Sequence, residues 1–155
     1  MEIPAIRMPA IRPPIRMDEI FLDTAFAIAL SSPRDSHHEL AVQISERLEA
    51  DVARLVTTRA VIIEIGNALA KQTYRSAAIQ LIESLEEDPN AEIVSVSDEL
   101  SKRAFALYRA REDKDWALTD CISFVVMSDK GLTTALTTVR HFQQAGFRAL
   151  MRLET

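Results

Sequence analysis

The chain has 155 residues, 48% of them hydrophobic and 26% charged, with a formal net charge of −5; this is enough for one domain with its own core. The acidic balance argues against capture of nucleic acid by bulk electrostatics, although a bound cation or a local basic patch can still meet phosphate. A single cysteine, Cys121, excludes an internal disulfide, and no apolar run approaches the roughly 20 residues of a membrane span.

Residues 1–17 stand apart. They carry four of the six prolines, three arginines and one acid, and they nearly repeat as Pro4-Ala5-Ile6-Arg7-Met8 and Pro9-Ala10-Ile11-Arg12-Pro13. Proline at this density blocks a helix and a central strand. The segment reads as a flexible or polyproline-like arm; the sharper alternative is a basic arm that touches RNA or packs on a partner. It has no apolar core of a secretory signal, which together with the lone cysteine predicts a cytoplasmic protein.

The folded domain is expected over 18–155. Ile20–Asp23 predicts a short buried strand. A helix starts at Ala25–Leu30 and is broken by Ser31-Ser32-Pro33. Ser36 is placed to cap a helix through Ala50, with Leu40, Ile44 and Leu48 at spacing four. Leu55-Val56-Thr57 predicts a second strand. Thr58 then caps a helix carrying Val61, Ile62, Ile65, Ala68 and Leu69. Another helix is predicted over Ser76–Glu86, ended by Asp88-Pro89-Asn90. Glu92–Val96 predicts a third strand, with Ser97 opening a helix to Arg111. Leu118 or Thr119 opens a helix to Met127. Ala135–Thr138 predicts a fourth strand, His141–Ala145 a short helix stopped by Gly146, and Arg148–Leu153 a last edge strand. Short apolar strands alternating with helices imply a helix-rich α/β domain with a mainly parallel sheet.

Three acids interrupt this pattern. Asp23 ends Ile20-Phe21-Leu22, Glu64 lies between Val61-Ile62-Ile63 and Ile65, and Asp120 precedes Cys121-Ile122-Ser123-Phe124. A carboxylate on an apolar element is costly unless something compensates it. Three of them, far apart in sequence, point to a shared divalent cation. In a parallel sheet, ligands bind beyond the carboxyl ends of the strands. Asp23 follows strand one, Glu64 rides the helix after strand two, and Asp120 sits in a first helical turn, where acids are favoured.

Four segments carry a resemblance to a known family: Phe21-Leu22-Asp23-Thr24-Ala25-Phe26-Ala27; Thr57-Thr58 with Glu64-Ile65-Gly66-Asn67-Ala68-Leu69; Asp115 through Phe124; and Ala135 through Phe147. On these the chain from Ile20 to Phe147 resembles a PIN domain, most of all the VapC-type ribonuclease toxins. The resemblance implies a three-layer α/β/α sandwich, an acidic cluster of Asp23, Glu64 and Asp120 holding Mg²⁺ or Mn²⁺, and hydrolysis of RNA. It also implies a homodimer and an antitoxin partner. Hard divalent cations favour carboxylate oxygens, which suits this residue set. The departure is Val139: an acid is common there in the family, after the pair matched by Thr137-Thr138, and valine cannot ligate metal. This keeps a second reading open, a nuclease-dead domain that binds RNA or protein.

Around the three acids, Thr24, Asn67, Asp115 and Ser123 are the candidate supporting residues. Asn67 follows Glu64 by three residues on the same helical face, and the hydroxyls of Thr24 and Ser123 serve either the site or helix capping. Trp116 and His141 read as structural. The acids Glu83, Glu86, Glu87 and Asp88 read as a solvated helix end. Arg103, Arg109, Arg111 and Lys114 read as a solvated face, with a phosphate-facing patch as the alternative.

Overall fold

A computed structural model describes residues 18–152; the proline-rich arm and the last three residues lie outside the described residues. The elements run β1 (Glu19–Leu22), α1 (Thr24–Ser31), α2 (His38–Ala50), β2 (Arg54–Thr58), α3 (Arg59–Ala68), α4 (Gln72–Glu87), β3 (Ala91–Val94), α5 (Asp98–Ala110), α6 (Leu118–Lys130), β4 (Thr134–Leu136), α7 (His141–Gln144) and β5 (Arg148–Ala149).

Local chemistry explains most of the boundaries. Thr58 Oγ1 accepts the Val61 N–H at 3.2 Å, and Ser97 Oγ accepts the Leu100 N–H at 3.1 Å, so both predicted caps are in place. Gly131 ends α6 at φ +67, a conformation that costs glycine little. Several boundaries differ from the expectation, among them β5, which covers only Arg148–Ala149. The N-cap of α2 is His37, because Ser36 Oγ pairs with His37 Nδ1 and the His37 N–H goes to Asp35 Oδ1. Helix α4 begins at Gln72, four residues early, and α6 runs on to Lys130. Strands β3 and β4 end at Val94 and Leu136, leaving Thr137 and Thr138 in the following loop.

Val52, in the link from α2 to β2, adopts φ +50 and is 75% exposed. A β-branched side chain is strained in that region. Val52→Gly is therefore expected to stabilise the protein by roughly 1 kcal/mol, since relief of strain outweighs the added freedom of the unfolded chain. The urea midpoint should rise, and a fall would show that the valine side chain contributes packing that outweighs its strain.

The sheet is parallel throughout, in the order β3-β2-β1-β4-β5. From β1 the chain steps outward to β2 and β3, then crosses back to β4 and β5 on the other side. Crossovers of parallel strands are right-handed, so reversing direction moves the connecting helices to the opposite face. Accordingly α1 to α4 pack on one another, as do α5, α6 and α7, which makes the α/β/α sandwich. Ile20, Phe21 and Leu22 of the central strand are at most 1% exposed, as expected for a strand covered on both faces. On the α6 side the core is aromatic: Phe124 meets Trp116 and Phe142 edge-on, each with centroids 5.0 Å apart. Trp116 is buried, and its Nε1–H donates to Gln144 Oε1 at 2.9 Å. Among the described residues no helix is long and apolar enough to cross a membrane.

Candidate active site

The strand order reverses between β1 and β4, and the crevice beyond their carboxyl ends is where an open parallel sheet offers a ligand site. Asp23 stands there as the first residue after β1. Its N–H donates to the Leu136 carbonyl of β4 at 3.2 Å, and its Oδ2 accepts the Thr137 hydroxyl at 2.7 Å. Thr137 Oγ1 in turn accepts the Val139 N–H at 3.0 Å. The loop after β4 therefore reaches Asp23 through a chain of two hydrogen bonds.

Asp23 is 5% exposed. Burial pushes its carboxyl up to about 6 from 3.8. The Thr137 hydroxyl and the Thr24 N–H pull the other way, while the nearby carboxylates of Asp120 and Glu64 push it up further. Glu64, from α3, takes the Thr24 hydroxyl on Oε1 at 2.6 Å. Asp120, in the first turn of α6, accepts the Ala117 N–H on Oδ2 at 3.0 Å and lies 2.8 Å from His141 Nδ1. The three acids thus meet at one end of the sheet, each steadied by a different protein donor.

The donor set is all oxygen, which matches a hard divalent cation. Buried negative charge with like charges beside it is costly, and a cation would relieve it. The side chains as placed are turned to their protein donors: among the described residues no group of three His, Cys, Asp or Glu is already arranged to hold a metal. The chemistry of the set fits the ion. Ligation would require some of these carboxylates to turn from a neutral hydroxyl or N–H toward the shared centre.

Of the supporting residues, Thr24 touches Glu64 directly. Ser123 is buried and donates to the Thr119 carbonyl at 3.1 Å, a bond within its own helix. Asn67 and Asp115 are exposed, and neither makes a side-chain hydrogen bond or ion pair among the described residues. Two contacts escaped the sequence reading. Thr137 is fully buried against Asp23 although it lies 114 positions away, and His141 is the neighbour of Asp120. A threonine in an apolar strand end carries no distinctive signal, and only the β1–β4 pairing brings it to Asp23.

The basic residues of the α5 region are largely committed. Arg103 forms a two-pronged pair with Asp129, and Arg111 pairs with Asp113. Glu86 at the end of α4 is exposed and pairs with Arg59 at 2.6 Å. Such exposed pairs contribute little to stability.

A family model described as PIN domain matches residues 20–148. Among solved structures, the chain is similar to the crystal structure of Mycobacterium tuberculosis VapC20, described as a sarcin–ricin loop cleaving toxin. The two are 26% identical, with a TM-score of 0.71 over 83% of this chain and 95% of that one. No curated protein matches the sequence.

Proposed function

This chain belongs to the PIN domain family, and from that premise we propose that it is a metal-dependent endoribonuclease, the toxin of a toxin–antitoxin pair. The observation that carries the reading is the buried Asp23, flanked by Asp120 and Glu64 at the switch point of the sheet. The similarity to VapC20 supports RNA as substrate and an antitoxin as partner. A second copy of the chain and a cytoplasmic site of action belong to the same proposal.

Asp23, Glu64 and Asp120 would hold Mg²⁺ or Mn²⁺. A divalent cation there supplies the positive charge that activates water and steadies the leaving oxygen of a phosphodiester. The protein's own part is positioning. Thr137 holds Asp23 by one carboxylate oxygen and leaves the other free of side-chain partners. Thr24 fixes Glu64 by Oε1. The Ala117 N–H and His141 both engage Oδ2 of Asp120, so Oδ1 stays available. Each acid therefore has one oxygen without a side-chain partner, and a shared ligand would draw on it as the carboxylates turn.

Val139 favours a second reading, a PIN domain that binds RNA or a protein without cutting. Its side chain packs against the core, and its N–H serves Thr137. It brings no fourth carboxylate to the loop after β4. The test is cleavage of a mixed RNA pool in Mg²⁺ or Mn²⁺ by the wild type and by Val139→Asp. Metal-dependent cleavage by the wild type is expected, with Val139→Asp at least as active. Cleavage that persists in EDTA would sink the metal mechanism. A silent wild type beside an active Val139→Asp would establish the binding-module reading.

A further inference from the structure

Two aromatic rings are left facing water on α5. Phe105 and Tyr108 are 49% and 47% exposed. Their centroids are 6.2 Å apart and their planes lie within 20° of each other, so they present a preformed stack. The Arg109 guanidinium lies 5.6 Å from the Phe105 centroid. All three line a groove of about 760 Å³ together with Arg111, Lys114, the acids Glu112 and Asp115, and the start of α6 at Ala117 and Leu118.

Three features describe the occupant this groove suits. Stacked π faces receive any nucleobase without reading its edge, and guanidinium and ammonium groups track the phosphates. Arg109 makes no ion pair among the described residues, while Arg111 and Lys114 share the one carboxylate of Asp113. One residue links the groove to the acid cluster: Ala117 in its wall donates its N–H to Asp120 Oδ2 at 3.0 Å.

We infer that Phe105 and Tyr108, with Arg109, form a base-stacking subsite that holds an unpaired RNA base next to the phosphodiester presented to Asp23, Glu64 and Asp120. The inference rests on the ribonuclease reading for what happens to that phosphodiester. The binding itself is measurable without catalysis.

The experiment uses the full chain in EDTA with a fluorescent single-stranded oligoribonucleotide of mixed sequence, beside a duplex RNA of equal length. Tyr108→Ala is expected to weaken single-strand binding about 10-fold, and Tyr108→Phe to retain it. Arg109→Gln should weaken binding and reduce its salt dependence. Duplex binding should change little in the two tyrosine variants. In Mg²⁺, Tyr108→Ala should raise KM more than it lowers kcat. Unchanged single-strand affinity in Tyr108→Ala would overturn the subsite, and so would an equal loss for duplex. A third overturning result is a Tyr108→Ala protein that changes from dimer to monomer with RNA binding intact, which would mean a second copy covers the stack. Tyrosine-dependent binding with no cleavage under any metal would support the subsite and sink the nuclease reading. Cleavage with an unchanged KM in Tyr108→Ala would do the reverse.

Discussion

Asp120→Asn is expected to lower RNA cleavage by about 100-fold or more while the protein stays folded. The substitution removes one negative charge from a hard-cation site and keeps the shape of the side chain. Asparagine Oδ1 can still accept the Ala117 N–H that Asp120 accepts at 3.0 Å, so the first turn of α6 keeps that bond. Losing the charge there costs the helix only about 0.3–1 kcal/mol. Initial rates at several Mg²⁺ concentrations, together with a thermal melt, separate the two effects. Raising Mg²⁺ should recover part of the activity, because a weakened ligand set is filled again by mass action. A folded Asp120→Asn enzyme cutting at the wild-type rate would remove Asp120 from the machinery. The effect of the substitution on His141, 2.8 Å away, is read in the same melt.

The second large effect is on stability, through Asp23. Its carboxyl is pushed up to about 6 in the folded protein, first by burial, from an ordinary value of 3.8. The folded state therefore holds a proton that the unfolded chain releases between those two values. The stabilising contribution is complete below pH 3.8 and is lost as pH rises through 6. By linkage the loss amounts to about 3 kcal/mol for the metal-free protein once pH is well above 6. Urea unfolding in EDTA should show the wild type losing stability between pH 5 and pH 8. Asp23→Asn should be flatter over that window and more stable than the wild type at pH 8. Its amide can still accept the Thr137 hydroxyl, so the hydrogen bond seen at 2.7 Å has a successor. Adding Mg²⁺ at pH 8 should raise the midpoint of the wild type and leave Asp23→Asn nearly unmoved. Parallel pH curves for the two proteins would show that Asp23 does not carry a buried charge.

Periodicity and punctuation were enough to place most elements. The apolar run Ile20-Phe21-Leu22 is β1, Thr58 and Ser97 cap the helices they precede, and the strand–helix alternation is the parallel sheet. These are short-range signals, decided by residues within a turn or two of one another. Boundaries slipped where a side chain had a choice of partners. Ser36 was spaced to cap α2, but Asp35 and His37 form the turn instead. The two threonines after Leu136 look like strand residues, and they are released because Thr137 turns to Asp23.

The sequence by itself determined the fold class, the family resemblance and the three acids at the ends of apolar segments. Each of these depends on residue type and local spacing. Only the tertiary structure decided that burial, with Asp120 and Glu64 nearby, raises the pKa of Asp23, that Thr137 and His141 attend two of the three carboxylates, and that Phe105 and Tyr108 are left facing water. The reason is physical. Such contacts join positions as many as 114 residues apart, and burial and mutual charge are properties of the packed arrangement rather than of any stretch of chain.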